Sequence, residues 1–193
     1  MKKESFLENL RAVTQQQFDM PDMHIEGIKY PDTYQQFVTM TETVGGTVIE
    51  ARKTDDLNLL IRNCFPEAKV FASNLPYITI AERNPDTVSE AAELNGTDVG
   101  IVEGQVGVAE NACIWVPQTM KEKAVCFISE CLVIILDKQN IVDNMHEAYR
   151  LIRMDDRYNF GTFISGPSKT ADIEQSLVMG AQAARAVTVI VLS

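Results

Sequence analysis

The residues best suited to binding chemistry lie in one stretch, Ser165-Gly166-Pro167-Ser168-Lys169-Thr170-Ala171-Asp172-Ile173-Glu174. It directly follows a run that is typical of a strand, Thr162-Phe163-Ile164. Gly, Pro, Ser and Thr together at the end of a strand favour a tight turn, which can present backbone N–H groups and hydroxyls to a ligand. Lys169 would bring a positive charge close to an anionic group. An anion-binding turn is therefore one interpretation of this stretch.

A short helix is predicted to begin after the turn, at about Ala171, with Ser168 or Thr170 as its N-cap. Asp172 and Glu174 would then lie in its first turn, where they complement the helix dipole but repel an incoming phosphate. Plain helix capping and anion binding both remain open, because the same turn could do both.

The pattern of the ATPase phosphate loop, GxxxxGK[ST], is not met. Gly161 and Gly166 have the required separation, but Pro167 and Ser168 come between the second glycine and Lys169. Gly161 also precedes the strand-like residues, where it cannot belong to a loop. The sequence therefore argues against ATP hydrolysis through such a loop.

A second candidate is Glu110, which stands among mostly apolar residues in Gly107-Val108-Ala109-Glu110-Asn111-Ala112-Cys113. A carboxylate that is buried without a partner costs several kcal/mol, so Glu110 must be exposed, paired or protonated. A partly desolvated glutamate could act as a nucleophile or a general base. The alternative is that Glu110 lies in water at the edge of a hairpin.

Cysteine and histidine spacing gives no metal-binding pattern. No CxxC pair occurs among the four cysteines, so zinc knuckles and iron–sulfur clusters lack their usual ligand spacing, and we expect buried free thiols. His146 is expected on the solvated side of a helix, between Asp143 and Glu147. We predict no metal site, and the sequence identifies no cofactor. The four cysteines are Cys64, Cys113, Cys126 and Cys131.

The chain has 193 residues and a formal net charge of −10, from 17 Lys and Arg against 27 Asp and Glu. Such a charge repels phosphate backbones and anionic lipids. We therefore predict that the chain binds neither nucleic acid nor membrane surfaces. No apolar run is long enough to span a bilayer, and the first residues do not resemble a secretory signal. We therefore predict one cytoplasmic domain over residues 1–193.

The elements that must position these residues alternate between helix and strand. Apolar residues at helical spacing predict a first helix at about residues 5–17, as an N-terminal extension, and a second helix that ends at Gly45-Gly46. Strand-like runs at residues 47–51 and 69–72 flank the helical pattern of residues 57–64. This alternation favours an α/β fold with a mostly parallel sheet and helices on both faces.

The second half adds a hairpin and two apolar strands. Residues 99–102 and 112–116 are joined by a glycine-bearing turn, which predicts antiparallel pairing near residues 99–116. The most apolar run, residues 131–136, should be a central strand, and residues 187–192 should be the last strand.

Three stretches in order resemble the LUD-domain family, also called the LutC/YkgG family, which includes lactate-utilisation protein C. The stretch from Ser165 to Glu174 is the most specific of the three, since the family carries a Gly-Pro-Ser-basic-Thr-Ala-Asp-Ile-Glu signature. The chain departs from the family pattern where it reads Gly180-Ala181-Gln182-Ala183-Ala184, because the family's His and Gly-Pro are replaced. The three stretches are Gly96-Thr97-Asp98-Val99-Gly100-Ile101-Val102, Gly107-Val108-Ala109-Glu110-Asn111-Ala112 and the segment from Ser165 to Glu174.

This resemblance implies a fold similar to the NagB/RpiA/CoA-transferase superfamily. It also implies a part in bacterial oxidation of L-lactate to pyruvate, beside an iron–sulfur subunit and an oxidoreductase subunit. Glu110-Asn111 looks like the element that carries the nucleophilic glutamate of CoA transferases. On this basis the residues expected to bind a ligand are Gly107, Asn111, Ser165, Gly166, Ser168, Lys169, Thr170 and Asp172.

The leading hypothesis is a component of a lactate-utilisation system that holds no cluster and binds a small anionic ligand or a partner subunit. A stand-alone CoA-transferase-like or sugar-phosphate-isomerase-like enzyme that uses Glu110 is one alternative. A ligand-binding or scaffold domain without chemistry is another. Whether the chain is an enzyme, and whether it forms a homo-oligomer, stay open at this point.

Overall fold

The structure, a computed structural model, describes residues 3–13, 25–154, 160–171 and 177–193. No helix within these ranges is long and apolar enough to cross a membrane. The helices are α1 Lys3–Val13, α2 Thr33–Thr43, α3 Leu57–Cys64, α4 Val125–Ile128 and α5 Met145–Leu151. The strands are β1 Thr47–Ala51, β2 Phe71–Ala72, β3 Val99–Gly104, β4 Val106–Val108, β5 Ile114–Pro117, β6 Cys131–Asp137, β7 Ile141–Val142, β8 Gly161–Ile164, β9 Lys169–Ala171, β10 Leu177–Met179 and β11 Ala186–Leu192.

A five-stranded parallel sheet with the order β1-β11-β6-β3-β2 forms the centre of the molecule. Two of its three inner strands, β6 and β11, are apolar at all of their five central positions except Thr188, and these central residues are buried in both strands. Strands that are covered on both faces require such nearly unbroken apolar runs. The predicted α/β class with a mostly parallel sheet is therefore confirmed.

The two faces of this sheet have different covers. On one face α3 contributes the fully buried Ile61, which packs in a cluster with Phe71 and Ile190. On the other face Phe37 of α2 and Val125 of α4 belong to a larger cluster, which also includes residues of a second sheet. Helices on both faces were predicted, whereas the second sheet was not.

The second sheet has four strands in the order β7-β4-β5-β8. Here the pairing expected from the sequence needs correction, because β4 and not β3 pairs antiparallel with β5, through Val106 opposite Trp115. β3 stays in the parallel sheet beside β6. The chain passes from one sheet to the other at Gln105, whose backbone N–H donates to Trp115 O. α5 covers the outer face of the second sheet.

The ends of two helices agree with the local sequence signals. Asp32 caps α2 by accepting a hydrogen bond from Gln35 N, and α2 ends before Gly45, which has a φ of +85°. A left-handed residue at this position is the usual stop that glycine provides. α1 begins at Lys3 and is described to Val13, so the predicted continuation to residue 17 lies outside the described residues.

The helix predicted from about Ala171 does not begin at that residue, and residues 172–176, where it would continue, lie outside the described residues. Residues 169–171 form β9, which pairs antiparallel with β10, with Lys169 opposite Met179. The N-cap roles expected for Ser168 and Thr170 are therefore wrong. Ser168 is held in an extended ladder, since its N–H donates to Ala184 O and its carbonyl accepts from Gly180 N. These long-range bonds outweigh the local tendency to begin a helix.

Candidate functional site

The turn that carries Glu110 connects β4 to β5. It is closed by a hydrogen bond from Val108 N to Cys113 O of 2.8 Å, and Ala112 takes a left-handed φ of 55°. Cys113 N donates to the side-chain oxygen Oδ1 of Asn111 at 3.1 Å, which is an Asx-type turn. The backbone of residues 109–113 is thus held tightly, in a conformation that L-residues rarely adopt.

The half-buried side chain of Glu110 is directed toward α5. Its Oε2 accepts a hydrogen bond from Met145 N at 3.1 Å, and its own backbone N–H donates to Asp143 O at 3.0 Å. Met145 N is one of the N–H groups at the start of α5 that have no partner within the helix. Glu110 therefore joins the turn to the beginning of α5, which gives the carboxylate a structural partner.

Ser165 brings the two stretches singled out in the sequence into contact. Its Oγ donates a hydrogen bond of 2.8 Å to the backbone carbonyl of Asn111. The nearby Cys113 thiol has a raised pKa, chiefly because burial disfavours the thiolate. A hydrogen bond with Ser165 lowers this pKa and the charge of Glu110 raises it, and the net direction is upward. Cys113 is therefore held as a neutral thiol.

Residues 165–170, here called the signature turn, continue from Ser165 across the end of α2. Gly166 has a φ of +63°, and a Cβ at this position would lie 2.8 Å from both Cγ2 and O of Val44. Only glycine fits this combination of conformation and close approach. Lys169 lies against the same helix end, because a Cβ on Gly45 would be 3.5 Å from Lys169 Nζ.

The signature turn is also paired with the segment in which the chain departs from the family pattern. Ser168 N donates to Ala184 O at 2.9 Å, and Gly180 N donates to Ser168 O at 3.0 Å. Gly180 has a φ of +78°, which allows the chain to turn from β10 toward β11. Residues 180–184 therefore form a neighbouring wall, a contact that no local pattern in the sequence indicates.

A cavity of about 380 Å³ opens between these two segments, and we call it the loop cavity. Residues 165–169 form one wall and residues 182–184 form the other. Its floor is apolar and lies beside the amino ends of β6 and β11. The floor residues are Cys126, Phe127, Leu132, Phe163, Ile164 and Val187.

The described lining of the loop cavity contains one charged side chain. Of the described residues that line it, Lys169 alone carries a charge, and no carboxylate is among them. Lys169 makes no hydrogen bond or ion pair with any residue that the structure describes, and its Nζ lies beside Gly45 at the end of α2. Burial raises the pKa of the Cys126 thiol to about 12, so this floor residue stays neutral. The positive charge of Lys169 in this lining contrasts with the net charge of −10 of the whole chain.

Several predicted site residues lie elsewhere. Gly107 is buried in β4, where a Cβ would come within 2.7 Å of Leu136 Cδ2, and it does not line the loop cavity. Neither Glu110 nor Asn111 lines the cavity, and Asn111 contacts its wall through the hydrogen bond that its carbonyl accepts from Ser165. Asp172 lies outside the described residues.

Four of the predicted ligand-binding residues do line the loop cavity, namely Ser165, Gly166, Ser168 and Lys169. For Thr170 the structure describes the backbone in β9. Sequence reasoning missed the floor residues and the wall residue Gln182. The altered segment of residues 180–184 was the only signal that could have pointed to Gln182.

A second cavity, of about 420 Å³, lies at the opposite, carboxyl ends of the parallel strands. Its lining includes four carboxylates and Lys53, and Lys53 Nζ is paired with Asp137 at 2.6 Å. An anion would be repelled there. Within the described ranges, no group of three or more His, Cys, Asp or Glu side chains is placed to hold a metal ion.

A family model and a curated relative match this chain. The family model described as the LUD domain matches residues 34–192. A curated relative, lactate utilization protein C of Anoxybacillus flavithermus, is 28% identical over 118 residues, which are 61% of this chain and 52% of the relative. The chain thus spans about half the length of that relative.

A solved structure of a DUF162 family protein from Deinococcus radiodurans has the same fold. It superposes with a TM-score of 0.67 over 86% of this chain and 100% of that chain, at 15% identity.

Proposed function

We propose that this chain, which belongs to the LUD-domain family, binds a small organic anion in the loop cavity and serves a lactate-utilisation system as a component that holds no cluster. The observation that carries the proposal is the position of Lys169. It is the charged residue among the described residues that line the cavity, which include no carboxylate, and its ammonium has no partner in the part of the chain that the structure describes. A charged group in a partly enclosed cavity is stabilised when a group of opposite charge binds beside it.

The other polar groups of the cavity support the same ligand class. Ser168 and Gln182 line its walls, and both carry side-chain donors. Hydroxyl and amide donors can hydrogen-bond a carboxylate, and a few such groups among apolar walls are typical of small-molecule pockets.

The link to lactate comes from the relative that is named lactate utilization protein C. As part of the proposal, the chain acts in the cytoplasm beside the redox subunits of such a system. In this role the loop cavity would respond to an organic anion of the pathway, and the transfer of electrons would occur on the partner subunits.

A role of Glu110 as nucleophile stays a prediction. One carboxylate oxygen already accepts from Met145 N, so attack on a substrate through that oxygen would require this bond to break. The geometry favours an anchoring role for Glu110, and the variants described in the Discussion separate the two roles.

Thermal unfolding in the presence of lactate, pyruvate and hexanoate tests the binding proposal. A ligand that binds only the folded state at 100 times its Kd stabilises by about 2.7 kcal/mol, which raises the melting temperature measurably. We expect at least one of these anions to stabilise the wild type and not Lys169→Ala. Lys3→Ala, which removes the same charge from exposed α1, should behave as wild type. If no anion stabilises the wild type, the binding proposal is wrong.

Growth on L-lactate tests the biological part. A strain that lacks this chain should grow poorly on L-lactate and normally on glucose. The wild type and Lys3→Ala should restore growth, whereas Lys169→Ala should not. Normal growth of the deletion strain on L-lactate would contradict the assignment.

A further inference from the structure

We infer that the loop cavity takes an amphiphilic carboxylate with an apolar body of about six or more carbons, and not a three-carbon hydroxy acid. This inference rests on the proposed function and names the ligand class of the same site. Three features of the cavity carry it, namely its size, the distribution of polar groups on its walls and its connection to a larger cavity.

The size of the loop cavity exceeds what a three-carbon anion fills. A volume of about 380 Å³ corresponds to about a dozen water molecules at their liquid volume. A three-carbon hydroxy acid has six non-hydrogen atoms and would replace only part of that water. Cavities of about 300–1,000 Å³ are those that enclose drug-sized ligands.

The polar and apolar groups of the cavity are separated. Lys169 and Ser168 belong to the wall made by the signature turn, as does Ser165, whose hydroxyl proton is donated to Asn111 O. The apolar lining includes side chains that keep part of their surface accessible, namely Phe127 at 38% exposure and the half-buried Phe163 and Ile164. A carboxylate near Lys169 would therefore have an apolar surface directly beneath its hydrocarbon part, and covering that surface removes it from water.

The loop cavity adjoins a larger cavity of about 750 Å³, since Phe127, Gln182 and Ala183 line both. Phe127 and Met179 expose 38% and 42% of their surfaces along this path. Exposed large apolar side chains in a concave surface are characteristic of ligand contact. A hydrocarbon chain that extends from the loop cavity toward the larger cavity can therefore contact Phe127 and Met179.

A chain-length series measured by calorimetry tests the inference, with lactate, butanoate, hexanoate, octanoate and decanoate as probes. Each methylene that leaves water should tighten binding by about threefold to fourfold. We expect Kd to fall from butanoate to octanoate in this manner, and lactate to bind more weakly than hexanoate. Equal affinity of lactate and octanoate would overturn the inference.

Two pairs of variants locate the head and the tail of the ligand. Lys169→Ala should weaken all probes by a similar factor, whereas Lys3→Ala should weaken none. Phe127→Ala should reduce the gain per methylene and leave butanoate unchanged. Phe160→Ala is the matched control, since Phe160 is 37% exposed and does not line the loop cavity. An unchanged dependence on chain length in Phe127→Ala would contradict the inference.

The outcomes separate this inference from the proposed function. If lactate and the longer probes bind equally and Lys169→Ala abolishes both, the proposed function stands and the amphiphilic ligand is wrong. If no carboxylate binds the wild type at all, both are wrong. If chain length matters but Lys169→Ala has no effect, the apolar body lies in another cavity and the inference is wrong.

Discussion

Ser165 Oγ donates a 2.8 Å hydrogen bond to Asn111 O, which connects the signature turn to the Glu110 turn across 54 residues of sequence. The same turn is joined on its other side to residues 180–184, through the backbone of Ser168. Three separate stretches of the chain are thus joined, and two of them, residues 165–169 and 182–184, line the loop cavity. The stability of this arrangement and the binding of a ligand should therefore be linked.

Ser165→Ala removes the hydroxyl that makes this link. We expect a loss of about 0.5–1.5 kcal/mol in the free energy of unfolding, because Asn111 O loses a donor that water replaces only in part. Urea denaturation measures this loss. Ser168→Ala, whose ladder bonds come from the backbone, is the control and should lose less. Equal losses in the two variants would argue against a special role of the Ser165 bond.

Gly166→Ala should destabilise the fold more than Gly96→Ala. Both glycines have a positive φ, +63° and +76°, so both variants carry the strain of a left-handed alanine, of about 1 kcal/mol. Only Gly166 has a neighbour in the way, since its Cβ would lie 2.8 Å from Val44, whereas Gly96 has nothing within 4 Å. We expect an additional loss of about 1–3 kcal/mol at Gly166. Chemical denaturation of both variants checks the order.

Substitutions at Glu110 distinguish an anchor from a nucleophile. Glu110→Ala leaves Met145 N without its acceptor and should cost about 1–3 kcal/mol of stability. Glu110→Gln keeps an oxygen acceptor and should cost less. Incubation with an acyl-CoA and hydroxylamine, followed by mass spectrometry, should leave Glu110 unmodified if it is only an anchor. A hydroxamate on Glu110 would instead establish it as a nucleophile.

Acid stability should depend on Asp98, which lines the larger cavity. Its pKa is held below the ordinary value by hydrogen bonds from Val70 N and Lys69 N, at 2.8 and 2.7 Å. Because the folded pKa is the lower one, this contribution is fully present above the unfolded pKa, near 3.8. It is lost as the pH falls through the folded value.

Melting temperatures measured between about pH 2 and pH 6 should therefore fall less steeply for Asp98→Asn than for the wild type below about pH 4. Glu67→Gln removes an exposed carboxylate that makes no described hydrogen bond and serves as the control. Parallel curves for Asp98→Asn and the wild type would show that Asp98 does not contribute.

The core of the fold could be predicted because its signals are local. The apolar run of β6 indicates a strand covered on both faces, and Gly45 indicates the end of α2. The hairpin partner could not be predicted in the same way. β3 and β4 are separated by the single residue Gln105, and no pattern of residues marks the change from one sheet to another.

The candidate site was predicted in part for a related reason. Ser165 and Lys169 stand in a turn whose composition is unusual, so they could be found from the sequence. The first-turn acids after Thr170 favoured a helix, but long-range bonds to Ala184 and Gly180 give a strand instead. The floor of the cavity consists of ordinary apolar residues such as Leu132, which nothing in the sequence separates from the rest of the core.

A crystal structure of the chain with octanoate tests the central claim most directly. We expect the carboxylate within about 2.7–3.2 Å of Lys169 Nζ, with the hydrocarbon chain over Leu132 and Phe127. Octanoate bound only at another surface, with water alone in the loop cavity, would contradict the account.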